Sequence, residues 1–222
     1  MTILTSNTRS DFRNKAKDNG PGSPLRDIAA WCAYDLLYLV EYADINSQEK
    51  IGPWIVHDTA AAHKTGETDA MVYHTGRANS GDNAAVQYRW IENPWGNVRE
   101  FIDGINFNNM SAYICTNPAN YADDTTNNYT AAGVTRCSSD LIKGMGLSNT
   151  FPWAFLPDAN GGSEITYIPD YMYSSSGRNV LNVGGYWTGA SGAGLFSFNA
   201  NFDSSVSSNA TGARLQFREV KA

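Results

Sequence analysis

The sequence predicts a loop-rich α+β domain in which two helices pack on twisted antiparallel strands. Three observations predict it. Helical apolar spacing is confined to two places in the first half of the chain. From Ile105 onward, short alternating segments such as Ile105–Phe107, Ser111–Ile114 and Ile165–Ile168 are separated by Gly, Asn and Asp. Glycine at 20 of 222 residues, with abundant Asn and Ser, argues against a helical bundle, while 42% hydrophobic residues and 12 tyrosines suit a globular core. The length fits one large domain, with or without an extended arm.

Residues 1–23 are polar and end in Gly20-Pro21-Gly22. They are expected to form an arm or docking strand, with Phe12 packed on a neighbour or on the body, and to be dispensable for folding. The domain then occupies residues 24–222. Its first helix follows Asp27, a suitable cap, and Trp31, Tyr34, Leu37, Tyr38 and Glu41 recur at spacings of three and four. The second is expected at Asn93-Pro94. Asn is a strong N-cap, and Pro fits the first helical position because its missing N–H would have no partner there. Trp95, Val98, Phe101 and Ile102 form its buried stripe, Glu100 faces solvent, and Gly104 ends it. Between the helices the chain reads as short strands and turns, and Tyr121–Tyr129 as a polar excursion. Gly212-Ala213-Arg214-Leu215-Gln216-Phe217 alternates as a terminal strand with Leu215 and Phe217 inward. Trp95, Trp187, Phe101 and Leu215 are read as core.

A net charge of −6 and the lack of any Lys/Arg cluster argue against a nucleic-acid partner. The longest strongly apolar run, Leu36–Val40, is too short to span a bilayer, so no membrane insertion is expected. The N-terminus carries no apolar leader and reads as lacking a signal peptide, which suggests synthesis in a cytosol. Cys32 reads as a small buried hydrophobe. Cys115 and Cys137 flank an Asn/Thr-rich loop and are a candidate bridge only in an oxidising setting.

The segment Asn179–Leu215 is the most informative. Between Asn179 and Ala213 its single charged residue is Asp203, yet Tyr186, Trp187, Phe196, Phe198 and Phe202 are set among Ser, Asn, Gly, Ala and Thr. Flexible linkers lack large aromatics, whereas binding surfaces combine rigid aromatics with small adaptable polar residues. It reads as a folded recognition edge.

Three motifs carry a resemblance. EYADINSQEKIG (Glu41–Gly52), YRWIENPWGNVREFIDGI (Tyr88–Ile105), and the series GGYW (Gly184–Trp187), AGLF (Ala193–Phe196) and GARL (Gly212–Leu215) together resemble the C-type-lectin-fold proteins of phages and bacteria. That group includes phage receptor-binding proteins and the variable proteins of diversity-generating retroelements, and it shares its fold with formylglycine-generating enzymes. The resemblance implies a C-type lectin fold and a non-enzymatic recognition protein with no catalytic residue and no cofactor. It also implies a location on a phage tail or displayed surface after synthesis in a bacterial cytoplasm. The implied partners are a host-surface protein or glycan, other virion proteins, and further copies of the chain, with a trimer favoured. Segment 180–217 becomes the binding segment. The alternatives are a formylglycine-generating-type oxygenase, disfavoured because no cysteine follows GGYW, and a structural virion protein.

In retroelement-served members, template adenines are miscopied at AAC or AAT codons, which never yields Lys, Glu, Gln, Met or Trp. From Tyr173 to Leu215 the chain has no Lys, Glu, Gln or Met, and its one Trp belongs to GGYW. The resemblance thus implies diversified ligand-binding positions among Tyr186, Thr188, Ala190, Ser191, Ala193, Ser197, Asn199, Asn201, Phe202, Asp203, Val206 and Ser208. Their side chains are expected to cluster on one solvent-facing surface.

No metal site is expected. The spacing of His57 and His63 does not place both on one helix face, and with His74 they read as surface or hydrogen-bonded loop residues. A calcium lectin would carry Glu-Pro-Asn and Trp-Asn-Asp runs; here the order is Glu92-Asn93-Pro94, and Asp123 with Asp124 is the remaining acidic pair. No nucleophile elbow, P-loop or dinucleotide fingerprint is present.

Overall fold

The computed structural model describes residues 2–20, 22–53, 56, 62–81, 83–134, 137–166 and 168–218. Three helices come first: α1 (Arg9–Lys17), α2 (Ile28–Tyr42) and the single turn α3 (Ser47–Lys50). The strands are β1 (Gly76–Arg77), β2 (Val86–Tyr88), β3 (Ile91–Glu92), β4 (Arg99–Asn108), β5 (Ser111–Ile114) and β6 (Thr130–Ala131). They continue with β7 (Asp140–Leu147), β8 (Phe155–Asn160), β9 (Tyr171–Ser174), β10 (Arg178–Val183), β11 (Phe198–Phe202) and β12 (Thr211–Ala213). β1 to β3 make a small sheet. Among the described residues the other nine form one sheet, ordered β6-β5-β4-β10-β11-β9-β7-β8 with β12 beside β4. The fold is α+β and mostly sheet. Its strands are not all antiparallel as expected, because β11 runs parallel to β9 and β12 parallel to β4.

α2 begins where the sequence predicts. The Ala30 N–H donates to Asp27 Oδ1 at 3.0 Å, which satisfies one of the open donors of the first turn. Trp31, Tyr34 and Tyr38 are buried. Leu37 is exposed, because the buried stripe is centred on Asp35 and a helix turns Leu37 to the far side. Trp31 meets Phe198 with ring centroids 5.8 Å apart, and Tyr38 meets Phe196 at 5.9 Å, so α2 covers one face of the sheet.

The expected second helix does not form. Asn93, Gly96 and Asn97 take left-handed φ values of +54°, +68° and +57°, which no α-helix start contains. Asn93 is therefore a turn residue and not a cap. The chain then enters β4, the longest strand. The spacing of Phe101, Ile102 and Ile105 reads as helical because this strand is buried on both faces and bulged. Val180 pairs with Asn106 while Leu181 pairs with Ile102, which leaves residues 103–105 as an insertion. Phe101 then faces α1, whereas Ile102, Ile105 and Phe107 all join the core under α2.

Residues 9–17 are a helix rather than a docking strand. The Asp11 N–H donates to Thr8 Oγ1 at 3.1 Å and the Thr8 N–H to Asp11 Oδ2 at 3.0 Å, a reciprocal capping box. Phe12 and Ala16 pack with Leu25, Phe101 and Val180 as a second, smaller core on the outer face of the sheet. Arg9 is fully buried there and ties α1 to the bulge of β4.

Three further expectations are corrected. Ile165 lies in a turn and is 95% exposed, so Ile165–Ile168 is not a strand; the neighbouring strands are β8 and β9. Leu215 and Phe217 are 46% and 82% exposed, because Arg214 takes the inward position and reaches Glu100. Glu100 itself is buried rather than solvent-facing. Cys32, Cys115 and Cys137 are buried thiols outside any disulfide. No helix among the described residues is long and apolar enough to cross a membrane.

Candidate functional site

The three sequence motifs meet in one place. Leu195 N–H donates to Ser47 Oγ at 2.9 Å, and Gln48 Nε2 donates to the carbonyls of Ala190 and Ser191 at 3.1 and 2.9 Å. Trp95 Nε1 donates to the Gly52 carbonyl at 3.1 Å. Gly96 N–H donates to the Gly184 carbonyl at 2.6 Å and Trp187 N–H to the Asn97 carbonyl at 3.1 Å. Gly185 sits at φ +65°, and a Cβ there would run into Ala193. A Cβ at Gly194 would occupy the Asp170 carboxylate, which accepts Gly194 N–H at 2.9 Å and Phe196 N–H at 2.7 Å. The base of the C-terminal segment is thereby held through backbone groups, independent of the outward side chains.

On that base lies a cation cradled by aromatic rings. Arg99, at the start of β4, places its guanidinium carbon 3.7 Å from the Tyr186 ring centroid and 5.5 Å from that of Phe202. Both rings are half-buried. Tyr171 and Tyr173 on β9 stand beside them with ring centroids 4.4 Å apart, and the Arg99 charge acts on Tyr173. The Thr188 side chain, and then the Arg99 charge, hold the Tyr186 hydroxyl below its ordinary pKa. Burial lowers the pKa of Arg99, and no carboxylate among the described residues lies within ion-pair distance of it. The other buried arginines differ: Arg9 pairs with Asp123 at 2.5 Å and Arg26 with Glu100 at 2.9 Å.

Of the twelve candidate positions, the structure brings Tyr186 and Phe202 together around Arg99, with Thr188 exposed next to them. Asp203 is exposed and accepts from the Ser205 N–H and Oγ at 2.8 and 2.5 Å. Ala190, Ser191, Asn201, Val206 and Ser208 are half-buried, and the Ser208 carbonyl takes the Ser6 N–H at 2.9 Å. Ala193, Ser197 and Asn199 correct the expectation of a wholly solvent-facing set, since all three are buried. The Ala193 methyl lies against Gly185 and Gly189. The Ser197 carbonyl accepts Gly184 N–H at 3.1 Å, one step beyond the Val183–Phe198 pair of β10 and β11, and Asn199 Oδ1 accepts Asn201 N–H at 3.2 Å.

Sequence reasoning missed Arg99, Tyr171 and Tyr173. A signal for the tyrosines was present in the run Tyr171-Met172-Tyr173, whose alternation buries Met172 and turns both rings to the other face. Arg99 was hidden by the helical reading of its segment.

Glu100 is a structural anchor. Burial acts to raise its pKa, but the charges of Arg214 and Arg26, at 2.6 and 2.9 Å, hold it below the usual carboxylate value. Among the described residues no group of three His, Cys, Asp or Glu is placed to hold a metal. Asp123 is taken by Arg9 and Arg13, and Asp124 bonds Ser204. His63 is half-buried and His74 exposed, with Nδ1 2.8 Å from Thr75 Oγ1; His57 lies outside the described residues. No sequence model of a known protein family matches the chain, and no curated protein matches it.

Proposed function

We propose that the chain is a non-enzymatic recognition protein with a C-type lectin fold. It is carried on a phage tail or a related surface display system and binds a host-surface protein or glycan through segment 180–217. The observation that supports this best is the half-buried aromatic group of Tyr186 and Phe202 around Arg99, set on a base held by backbone hydrogen bonds. Rigid aromatic anchors surrounded by small polar residues are the usual energetic centre of a binding surface. Retroelement diversification, on this reading, uses the nine candidate positions that reach the surface and spares Ala193, Ser197 and Asn199. A homotrimer offsets modest single-site affinity by multivalency. The oxygenase alternative needs an accessible reactive thiol pair, and burial raises the pKa of Cys32 and Cys137 instead.

The test is binding of the labelled protein to a panel of intact bacterial strains, comparing wild type with Tyr186→Ala and Phe202→Ala. At least one strain is expected to bind, with either truncation weakening binding tenfold or more at unchanged Tm. Binding that survives both substitutions overturns the proposal. If instead both variants lose only their oligomeric state, the face is an assembly surface and the structural alternative replaces it.

A further inference from the structure

Arg99 is the one buried arginine among the described residues without an acidic partner. A guanidinium removed from water without a counter-charge is costly, and an aromatic ring face compensates only part of that cost. Its side chain spends its charge on two rings, Tyr186 and Phe202, that both reach the surface. Next to it, Tyr171 and Tyr173 present a pair of rings on the same stretch of sheet. A guanidinium that has the Tyr186 side chain and two rings for neighbours but no carboxylate is suited to an anion arriving from outside. The planar fork of arginine matches a carboxylate or a phosphate through paired N–H donors.

We propose that the recognition face binds a sugar bearing an anionic substituent, with the carboxylate or phosphate on Arg99 and the sugar ring against Tyr186 and Phe202. This rests on the recognition reading above and specifies its ligand class. The aromatic faces suit the apolar face of a pyranose ring, and the Thr188 and Asn201 side chains nearby in sequence suit its hydroxyls. An acidic peptide fits less well. The chain carries a net charge of −6, and one cation supplies the counter-charge for a single anionic group.

The experiment uses the full chain with four probes: glucuronic acid, glucose 6-phosphate, glucose and N-acetylaspartate amide. Binding is read by titration calorimetry and ligand-observed saturation-transfer NMR, on wild type, Arg99→Met and Arg99→Lys, with Tm for each. Wild type is expected to bind at least one charged sugar tenfold or more tightly than glucose, and whichever is tighter identifies carboxylate or phosphate as the anion source. Arg99→Met should abolish that preference while keeping or raising Tm, since a partnerless buried cation is removed. Arg99→Lys should retain part of it, and the preference should shrink with added salt. The inference is overturned if charged and neutral sugars bind alike, if wild type binds neither charged sugar, or if Arg99→Met binds as wild type does. Equal or tighter binding of the aspartate derivative would assign the face to acidic peptides instead. Cell binding that is lost in Tyr186→Ala but kept in Arg99→Met would leave the recognition reading standing and remove this one alone.

Discussion

Arg9 holds the outer helix to the bulge at the centre of the sheet, and its replacement by Met is the sharpest test of that arrangement. The bulge leaves backbone groups that the strand ladder cannot satisfy. Asp103 N–H goes to the Arg26 carbonyl at 3.0 Å, and the Gly104 carbonyl receives Cys115 N–H at 2.9 Å. The carbonyls of Ile102 and Ile105 are left to Arg9 NH1, at 3.0 and 2.9 Å. Arg9 NH2 also donates to Asn106 Oδ1 at 2.5 Å and Nε to Asp123 Oδ1 at 2.7 Å. Met fills similar space but donates nothing. Two carbonyls and one amide oxygen would then be buried without donors, at about 1–3 kcal/mol each. Relief from desolvating the guanidinium offsets part of this, and breaking a buried pair typically nets roughly 3–5 kcal/mol. At about 2–4 °C per kcal/mol for a chain of this size, the melting temperature should fall by roughly 10 °C. Circular dichroism melts and urea titrations measure it. Arg9→Lys should recover only part, because one ammonium cannot span those acceptors. An Arg9→Met protein melting within about 2 °C of wild type would refute the reasoning, since each orphaned carbonyl alone exceeds that. Removing residues 1–20 also uncovers Phe101 and Val180, so the truncated chain should be less stable still. The expectation that the arm is dispensable for folding holds if that chain still melts cooperatively, and fails if the transition is lost.

Other perturbations follow from the same structure. Gly194→Ala pushes a methyl into the Asp170 carboxylate and disturbs both its hydrogen bonds, and should cost about 2 kcal/mol or more by urea titration. An unchanged midpoint would show that the loop relaxes freely. Trp95→Ala should cost about 3–5 kcal/mol, from a cavity in the main core and the lost bond to Gly52. If it left stability intact and abolished binding, Trp95 would be a contact residue. Burial raises Asp170 to about 7, against the Phe196 and Gly194 N–H groups, and raises Asp35 as well. Both folded values lie above the unfolded ones, so their contribution is full below about pH 4 and is lost as pH rises through the folded values, about 7 for Asp170. Asp123 and Glu100 are lowered despite burial, and their contribution is lost as pH falls through their folded values. Stability should therefore peak near about pH 5 and decline toward neutrality, and Asp170→Asn should flatten that decline. A melting temperature that rises steadily from pH 5 to 8 would contradict it.

Short-range chemistry in the sequence determined the start of α2 at Asp27, the α+β character, and the burial of Trp31, Trp95, Phe101 and Trp187. A side-chain cap and a large apolar ring leave few alternatives whatever surrounds them. The resemblance motifs marked segments that do converge, although their adjacency rests on hydrogen bonds between residues 43 to 148 positions apart in sequence. What local pattern misread was β4. A strand buried on both faces and broken by a bulge repeats its apolar residues much as a helix does. Only the pairing with β10, and Arg9 arriving from α1, decide between the two. That same error hid Arg99 and sent Glu100 outward. A residue's partner for charge comes from another strand or helix: Glu100 finds Arg26 and Arg214, whereas Arg99 meets rings from the C-terminal segment. Composition alone singled out residues 179–215, since small polar residues with aromatics are visible without any fold. Which of them face outward depends on packing: Ala193 lies against Gly185 while Phe202 lies over Arg99, and only the folded chain brings those pairs together.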